Sequence, residues 1–186
     1  MENNDIELML KVKTGDLSAF DLLLDSYEKP IINFIYRYIG SREDAEDLAQ
    51  EVFLKVYRAV PYYEPRSKFS TWLFRIAHNV SIDYLRKNRN KRTLQVSQNN
   101  PDEEEKIREL YNPDEPGAET LLENKQVREK VNSLLAKLPD KQKTALILRI
   151  YDDKSYLEIA AILACSVPAV EALIFRARET LKKQFG

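Results

Sequence analysis

Residues 41–60 read SREDAEDLAQEVFLKVYRAV, and this stretch predicts the clearest helix of the chain. Ser41 followed by Asp44 resembles a capping box, and Pro61 stops the helix at its end. The apolar residues at helical spacing are Ala45, Leu48, Ala49, Val52, Phe53 and Val56. Because they form one face, the stretch indicates an amphipathic helix with a charged side turned outward.

The segments around this helix also predict helices. Residues 68–87 read KFSTWLFRIAHNVSIDYLRK, and Ser70 or Thr71 can cap a helix buried through apolar positions at helical spacing. A loop with Pro65 precedes it, at residues 62–69. Towards the N-terminus, a short apolar stripe ends at Gly15, and a second stripe carries Pro30, which marks a kink or a restart.

Residues 138–183 read LPDKQKTALILRIYDDKSYLEIAAILACSVPAVEALIFRARETLKK and have the form of a helix-turn-helix after one further helix. Ser155 and Glu158 form a capping box, and Pro168 suits the first turn of the last helix. The inward residues of that helix are Val170, Leu173 or Ile174, Ala177 and Leu181. The outward residues at its start are Ala169, Glu171, Ala172, Phe175 and Arg176. A recognition helix offers such positions to base edges, and Arg178, Lys182 and Lys183 could contact phosphates. A plain helical hairpin with a solvated face is the alternative.

Composition sets the fold class and the domain organisation. The chain has 186 residues, 44% of them apolar, and only four glycines, so we expect an all-α protein. Residues 93–118 are too polar to build a core, and they predict a flexible acidic linker. The expected organisation is therefore two small helical domains, at 1–92 and 119–186, with the helix-turn-helix in the second.

Charge is distributed unevenly although the net charge is only -1. Residues 62–92 carry eight basic and two acidic side chains, a balance of +6, which favours an anionic partner. Residues 102–119 carry eight acidic and two basic side chains, a balance of -6, which disfavours phosphate.

The basic helix at 68–87 is rich in aromatic residues, and exposed aromatics next to cations are typical of binding to single-stranded nucleic acid. Phe69, Trp72 and Phe74 lie near its start, with Tyr62 and Tyr63 just before them. We therefore expect contact with opened or flipped DNA. The alternative is that Trp72 and Phe74 belong to the core.

The outer face of the helix at 41–60 combines Leu54 with acidic neighbours. Leu54 points away from Ala45, and Asp47 and Gln50 flank it. This face is typical of a docking site for a basic protein helix, although a solvated surface would look similar.

No enzyme constellation is present in the sequence. It has no phosphate-binding glycine loop, and its single cysteine and single histidine make a metal site or a catalytic pair implausible. We expect no cofactor and no metal, with His78 a bystander and Cys165 a small packing residue. Without a long apolar run or a secretion signal, the chain is expected to be cytoplasmic and not inserted in a membrane.

Taken together, the three quoted stretches resemble the extracytoplasmic-function sigma factors of bacteria, in the family's order and spacing, over nearly the whole chain except the linker. The resemblance implies docking on core RNA polymerase, at a coiled coil of the beta-prime subunit and with the beta subunit as a further partner. The residues that it implies for docking are Asp44, Asp47, Gln50, Glu51 and Leu54.

The resemblance also implies two contacts with promoter DNA. Opening of the minus-ten element and binding of the single strand would involve Lys68, Phe69, Ser70, Thr71, Trp72, Arg75, Asn79, Asp83 and Arg86. Recognition of the duplex minus-thirty-five element would involve Pro168, Ala169, Glu171, Ala172, Phe175, Arg176, Arg178 and Lys182. Many family members carry basic or small polar residues where this chain has Glu171 and Leu173, so its target sequence is expected to differ.

The predicted function is therefore that of a sigma factor, which gives core polymerase its promoter specificity and assists strand opening. The linker would thread through polymerase, and an anti-sigma protein that covers both domains is an expected partner. Two alternatives are a free-standing helix-turn-helix regulator, which binds duplex DNA alone, and a module that binds only protein. The aromatic, basic helix and Leu54 favour the sigma factor, since neither feature serves a free-standing regulator.

Overall fold

A computed structural model describes residues 2–95, 131 and 133–185 of the chain. Its helices are α1 (Glu2–Lys13), α2 (Leu17–Ile39), α3 (Arg42–Ala59), α4 (Phe69–Gln95), α5 (Asp140–Ile150), α6 (Tyr156–Leu163) and α7 (Val167–Phe185), with a 3-10 turn at Val60–Tyr62. Residues 133–136 are also helical. Because no strand occurs among the described residues, the all-α prediction is confirmed.

Helices α1 to α4 pack around one apolar core, and their ends are set by caps. The Asp16 side chain accepts a hydrogen bond from the Ala19 amide at the start of α2, and Ser41 does the same for Asp44 at the start of α3. Gly15 and Gly40 both have positive φ values after helix ends, which glycine adopts without steric cost. Helix α2 packs against α3, and α4 contacts both.

The structure corrects two expectations about this half. Of the two alternatives at Pro30, the restart is wrong, because α2 runs from Leu17 to Ile39 with Pro30 inside it, and the kink stays a prediction. Ser70 and Thr71 do not cap α4, because the helix begins at Phe69, one residue earlier. The loop before it starts only after the 3-10 turn, at Tyr63.

The C-terminal half is a three-helix unit. Helices α5, α6 and α7 pack around buried aliphatic side chains from each of them, among them Ile147, Ile159, Ile162, Val170, Ile174 and Ala177. The burial of Ile174, with Leu173 only half-buried, decides between the two candidates for the inward position of α7.

The two halves touch each other. Helix α2 contacts α5, and α4 contacts α6, so that the buried residues of both halves form one continuous cluster. The predicted linker at 93–118 lies outside the described residues from position 96 onward, and α4 occupies its first positions. The predicted domain bounds therefore stay predictions.

In the described part of the chain no single helix is long and apolar enough to cross a membrane. Helices α6 and α7 meet such a test of length and composition only as a pair, which is bent by 97°.

Candidate nucleic-acid interface

An open groove of about 750 Å³ lies between α2 and α3. Leu54, which is 54% exposed, and Tyr57 line it from α3, and Phe20 and Leu24 line it from α2. The rings of Phe20 and Tyr57 meet edge to face, with centroids 5.4 Å apart. Exposed apolar side chains gathered in a concave surface are typical of a binding site for another protein.

The predicted docking residues divide between the groove and its rim. Gln50 and Leu54 line the groove, whereas Asp44, Asp47 and Glu51 lie on the same helix but outside its lining. Asp47 and Glu51 are exposed, and the carboxylate of Glu51 lies 3.2 Å from the ammonium of Lys55. The groove thus combines apolar side chains with charged ones, namely Glu28, Lys29, Arg42 and Glu46, and further acidic residues of α3 lie outside its lining.

Sequence reasoning missed the α2 side of this groove. Phe20 and Leu24 belong to an apolar stripe at helical spacing, which indicated core rather than surface. A useful signal was available in Tyr57, which lies one helical turn from Leu54 and continues its outward face.

The aromatic side chains at the start of α4 are mostly core. Phe69 is 1% exposed and packs edge to face on Tyr27 at 5.3 Å, and Phe74 is 2% exposed and packs in the same way on Phe34 at 5.4 Å. Thr71 is buried as well. Trp72 is half-buried beside Tyr63, with ring centroids 5.1 Å apart. Of the predicted minus-ten residues, Phe69 and Thr71 therefore offer no side-chain surface to a ligand in this conformation.

A polar column on the outside of α4 remains accessible. Arg75, Asn79, Asp83 and Arg86 are exposed and lie three or four residues apart, which places them on one side of the helix. Asp83 and Arg86 are within ion-pair distance, at 3.8 Å. At the helix start, the ammonium of Lys68 lies 3.3 Å from the carboxylate of Glu158 in α6. Ser70, in the first turn of α4, is half-buried.

The C-terminal hairpin has helix-turn-helix geometry. Ser155 and Glu158 form the predicted reciprocal capping box, with the Ser155 amide donating to Glu158 Oε2 at 2.9 Å. Ala164 ends α6 in a left-handed conformation, and Ser166 accepts from the Ala169 amide to cap α7. The bend of 97° between α6 and α7 lies within the range of this motif.

The predicted base-contacting side of α7 faces solvent. Glu171, Ala172, Phe175 and Arg176 are exposed, with Ala169 half-buried beside them. Pro168, Arg178 and Lys182 are exposed too. Phe175 is an apolar ring in open solvent, and such a ring can contact the methyl group of thymine.

Buried polar residues join the two halves. His78 is buried, and its Nδ1 lies 3.2 Å from the Thr144 hydroxyl of α5, so that it packs between the two halves. Burial lowers the pKa of His78 to about 4, which keeps the ring neutral. Lys143, also buried, donates to the carbonyl of Tyr38 near the end of α2.

Two family models match the chain. "Sigma-70 region 2" matches residues 23–91, which hold the α3 face and most of α4, and "Sigma-70, region 4" matches residues 128–181, which hold the helix-turn-helix. The chain is 34% identical to the RNA polymerase sigma-H factor of Pseudomonas aeruginosa, over 98% of this chain and 94% of that one. It is 34% identical to the ECF RNA polymerase sigma factor SigW of Bacillus subtilis, over 96% and 98%. It is 35% identical to the ECF RNA polymerase sigma-E factor of Escherichia coli K12, over 95% and 92%.

Solved structures share the fold. The structure of CnrH in complex with the cytosolic domain of CnrY has a TM-score of 0.72 at 24% identity, and the match covers 98% of this chain and 97% of that one. The sigma factor RpoE from Bartonella quintana, in complex with the anti-sigma factor NepR, has a TM-score of 0.63 at 21% identity, over 88% and 94%.

Proposed function

This chain belongs to the extracytoplasmic-function family of RNA polymerase sigma factors, and on that premise we propose which surfaces perform the separate steps of transcription initiation. As a sigma factor it directs core polymerase to specific promoters and assists promoter opening. The match of residues 23–91 to region 2 argues against a free-standing helix-turn-helix regulator, which needs no such domain.

We assign polymerase docking to the groove between α2 and α3. The observation that carries this assignment is the exposure of Leu54 beside Tyr57 in this groove, with Asp47 and Glu51 exposed on the same helix. A basic amphipathic helix fits both features, since its apolar side would fill the groove while its cations meet the carboxylates. The coiled coil of the beta-prime subunit is the proposed partner, and contact with the beta subunit is proposed to follow from the family.

The test is co-migration of the purified chain with bacterial core polymerase on gel filtration. Leu54→Asp places a charge where the partner's apolar side chains would be buried, so we expect co-migration to be lost. Leu22→Asp is the matched control, because Leu22 is equally exposed, at 54%, but does not line the groove. Equal binding of core by both variants would remove the groove as the docking site.

We assign minus-ten DNA to the polar column of α4 and to the residues at its start. Arg75 and Arg86 supply cations for the strand, and Asn79 and Asp83 supply hydrogen-bonding groups for unstacked bases. Trp72, half-exposed beside this column, is the remaining stacking surface. Phe69 and Thr71 are proposed to support this surface from beneath.

We assign minus-thirty-five DNA to the start of α7. Glu171 can accept a hydrogen bond from the amino group of cytosine, while Arg176, Arg178 and Lys182 are placed for phosphates and base edges. We expect Glu171→Ala to relax selection at one base pair of this element. Sequencing of promoters selected from a randomised library measures it, and unchanged preference at every position would refute the role of Glu171.

The remaining proposals concern the location of the protein, the source of catalysis and its inhibitor. We propose that the chain acts in the cytoplasm, where its polymerase is, and that catalysis belongs to polymerase rather than to any group of this chain. An anti-sigma protein that covers both domains is proposed as its inhibitor. The sigma factor RpoE shares this fold and was solved in complex with an anti-sigma factor, which supports the proposal.

A further inference from the structure

The exposed loop at residues 64–68 lies between two buried aromatic side chains. Tyr63 precedes the loop and Phe69 follows it, and they are 5% and 1% exposed. Both rings pack on Trp72, with centroids 5.1 Å and 6.0 Å away. We call Tyr63 and Phe69 the two anchors of the loop. The positions of the loop and of the half-buried Trp72 ring therefore depend on what holds the anchors.

The first anchor, Tyr63, is held by α1. The Lys13 ammonium, in the last turn of α1, donates a hydrogen bond to the Tyr63 carbonyl at 3.1 Å, although the two residues are 50 positions apart. The Tyr63 hydroxyl is also buried, and this burial and the nearby Asp5 carboxylate raise the pKa of Tyr63. Because a hydrogen bond from a charged donor is stronger than one between neutral groups, Lys13 fixes the backbone where the loop begins.

The second anchor, Phe69, is held by α1 through one further residue. The Tyr27 ring packs edge to face on Phe69 at 5.3 Å, and the Tyr27 hydroxyl donates a hydrogen bond to Asp5 Oδ2 at 2.5 Å. Helix α1 also contacts the 3-10 turn before the loop and α4 after it. The complete series of contacts, which begins and ends on α1, is Asp5, Tyr27, Phe69, Trp72, Tyr63 and Lys13.

The polar contacts of α1 are separate from its contribution to the core. Leu8, Met9 and Val12 are the buried residues of α1, and their packing stabilises the helix bundle. Asp5 is only half-buried and Lys13 is exposed, so neither is needed to fill the core. The docking groove is lined by residues of α2 and α3, and α1 does not contribute to it. Asp5 and Lys13 are thus placed to affect the loop without affecting the groove.

We propose that Lys13 and Asp5 are positioning residues for promoter opening, which hold the loop and Trp72 in the arrangement that receives an unstacked base. A surface that is ordered before binding does not lose that conformational freedom when the strand arrives, so it binds more tightly. This inference rests on the proposed function, because the contact of Trp72 with single-stranded DNA is part of it. The hold of α1 on the loop is a property of the chain alone.

The first measurement uses Trp72 itself, which is the single tryptophan of the chain. Lys13→Met removes the ammonium and keeps most of the side-chain length, so we expect acrylamide to quench Trp72 more strongly in the isolated full-length protein. Lys13→Arg keeps a charged donor and should restore the quenching of the parent. Lys11→Met is the matched control, because Lys11 is exposed in the same last turn of α1 and makes no hydrogen bond to the loop.

A second pair of variants tests the other anchor. Asp5→Ala removes the acceptor of the Tyr27 hydroxyl, and we expect it to increase the quenching of Trp72 as well. Glu7→Ala is its control, since it removes an exposed carboxylate from the same helix. Should Lys13→Met fail to fold, this pair decides the inference.

The second measurement is binding of a labelled single strand to holoenzyme made from this chain and core polymerase. The strand carries the non-template minus-ten sequence of a promoter selected from the randomised library, and fluorescence anisotropy gives its affinity. We expect Lys13→Met to weaken binding about fivefold to tenfold, and Asp5→Ala about threefold, since each loses one hydrogen bond that orders the loop. Because Lys11→Met removes the same charge as Lys13→Met, a purely electrostatic loss would be equal for both.

The outcomes separate this inference from the proposed function. Equal quenching and equal affinity for Lys13→Met and Lys11→Met, or no recovery with Lys13→Arg, would overturn the role of Lys13. A fall in affinity without a change in quenching would show that α1 does not act through the loop, and the inference would be wrong. If the quenching changes as expected but the parent holoenzyme binds the strand no better than core alone, α1 holds the loop and the minus-ten assignment fails, together with the role in promoter opening.

Discussion

The groove between α2 and α3 and the start of α4 both combine apolar side chains with charges, yet they differ in what their large side chains do. In the groove, Leu54 and Tyr57 are 54% and 47% exposed. At the start of α4, Phe69 and Phe74 are 1% and 2% exposed, against Tyr27 and Phe34. The first surface keeps apolar area available to a partner, while the second uses it to hold α4 on the core.

This difference fits the two kinds of partner that we propose for the two surfaces. A protein helix can repay the cost of exposing apolar groups by burying them, so docking surfaces retain them. DNA presents phosphates and polar base edges, and the exposed side of α4, which we propose as the minus-ten surface, carries Arg75, Asn79, Asp83 and Arg86. The aromatic richness of α4 therefore serves stability first, with Trp72 the exception.

Among the substitutions that test this comparison, Phe69→Ala is expected to have the largest effect, which is on stability. Removing a fully buried phenylalanine costs about 3–5 kcal/mol of the free energy of unfolding, so the melting temperature should fall steeply. Leu54→Ala, at an exposed site, should change stability by less than about 0.5 kcal/mol. Thermal unfolding followed by circular dichroism measures both, and a Phe69→Ala protein as stable as the parent would place Phe69 outside the core.

Tyr57→Ala should have the converse effect, on binding rather than on stability. Loss of the ring that packs on Phe20 at the groove is expected to weaken core polymerase binding by about tenfold to thirtyfold, or about 1.4–2 kcal/mol. Titration of labelled core with the variant measures this. The control is Tyr62→Ala, since Tyr62 is more exposed but does not line the groove. Equal losses for both tyrosines would show that the groove has no special role.

Asp152→Asn probes the loop that packs beside α4. Burial raises the pKa of Asp152 to about 6, against attraction to Arg37 and Lys154 that lowers it. Because the folded-state pKa is raised, the stability that the protonated group contributes is present below about pH 4 and is lost as the pH rises through about 6. The variant should therefore be more stable than the parent at pH 7.5, by about 1 kcal/mol.

The difference between Asp152→Asn and its parent should shrink as the pH is lowered to 4.5, where the parent carboxyl gains its proton. Asp25→Asn is the control, because Asp25 is exposed on α2. Melting temperatures across this pH range measure the effect. A difference that is constant with pH would show that Asp152 does not titrate in this window.

Arg75→Ala should have the smallest effect, on binding of opened DNA. One phosphate contact to a single strand accounts for a slope of about 0.7 in the logarithm of affinity against the logarithm of salt concentration. We expect the polymerase complex of this variant to lose about that much of its slope and a few-fold in affinity at low salt. Arg66→Ala, in the loop outside the column, is the control. An unchanged slope would exclude Arg75 from the DNA surface.

Local patterns in the sequence determined much of this protein. The apolar spacing of residues 41–60 predicted α3 and its buried face, and the Ser155 capping box predicted the start of α6. The same spacing placed Val170 and Ala177 inward on α7 and left Phe175 outside. These features depend on residues a few positions apart, so helix periodicity and capping chemistry are sufficient to predict them.

The tertiary structure decided what depends on residues far apart in the chain. Phe69 is core because Tyr27 covers it, His78 is buried because Thr144 lies against it, and Lys143 is buried at the end of α2. Local spacing in the sequence does not predict these pairings, because an aromatic or basic residue at helical spacing is compatible with both a surface and a core position. The packing of α4 on α2 decides it for Phe69, and the packing of α5 on α2 and α4 decides it for Lys143 and His78, because burial depends on the neighbours that the whole fold brings together.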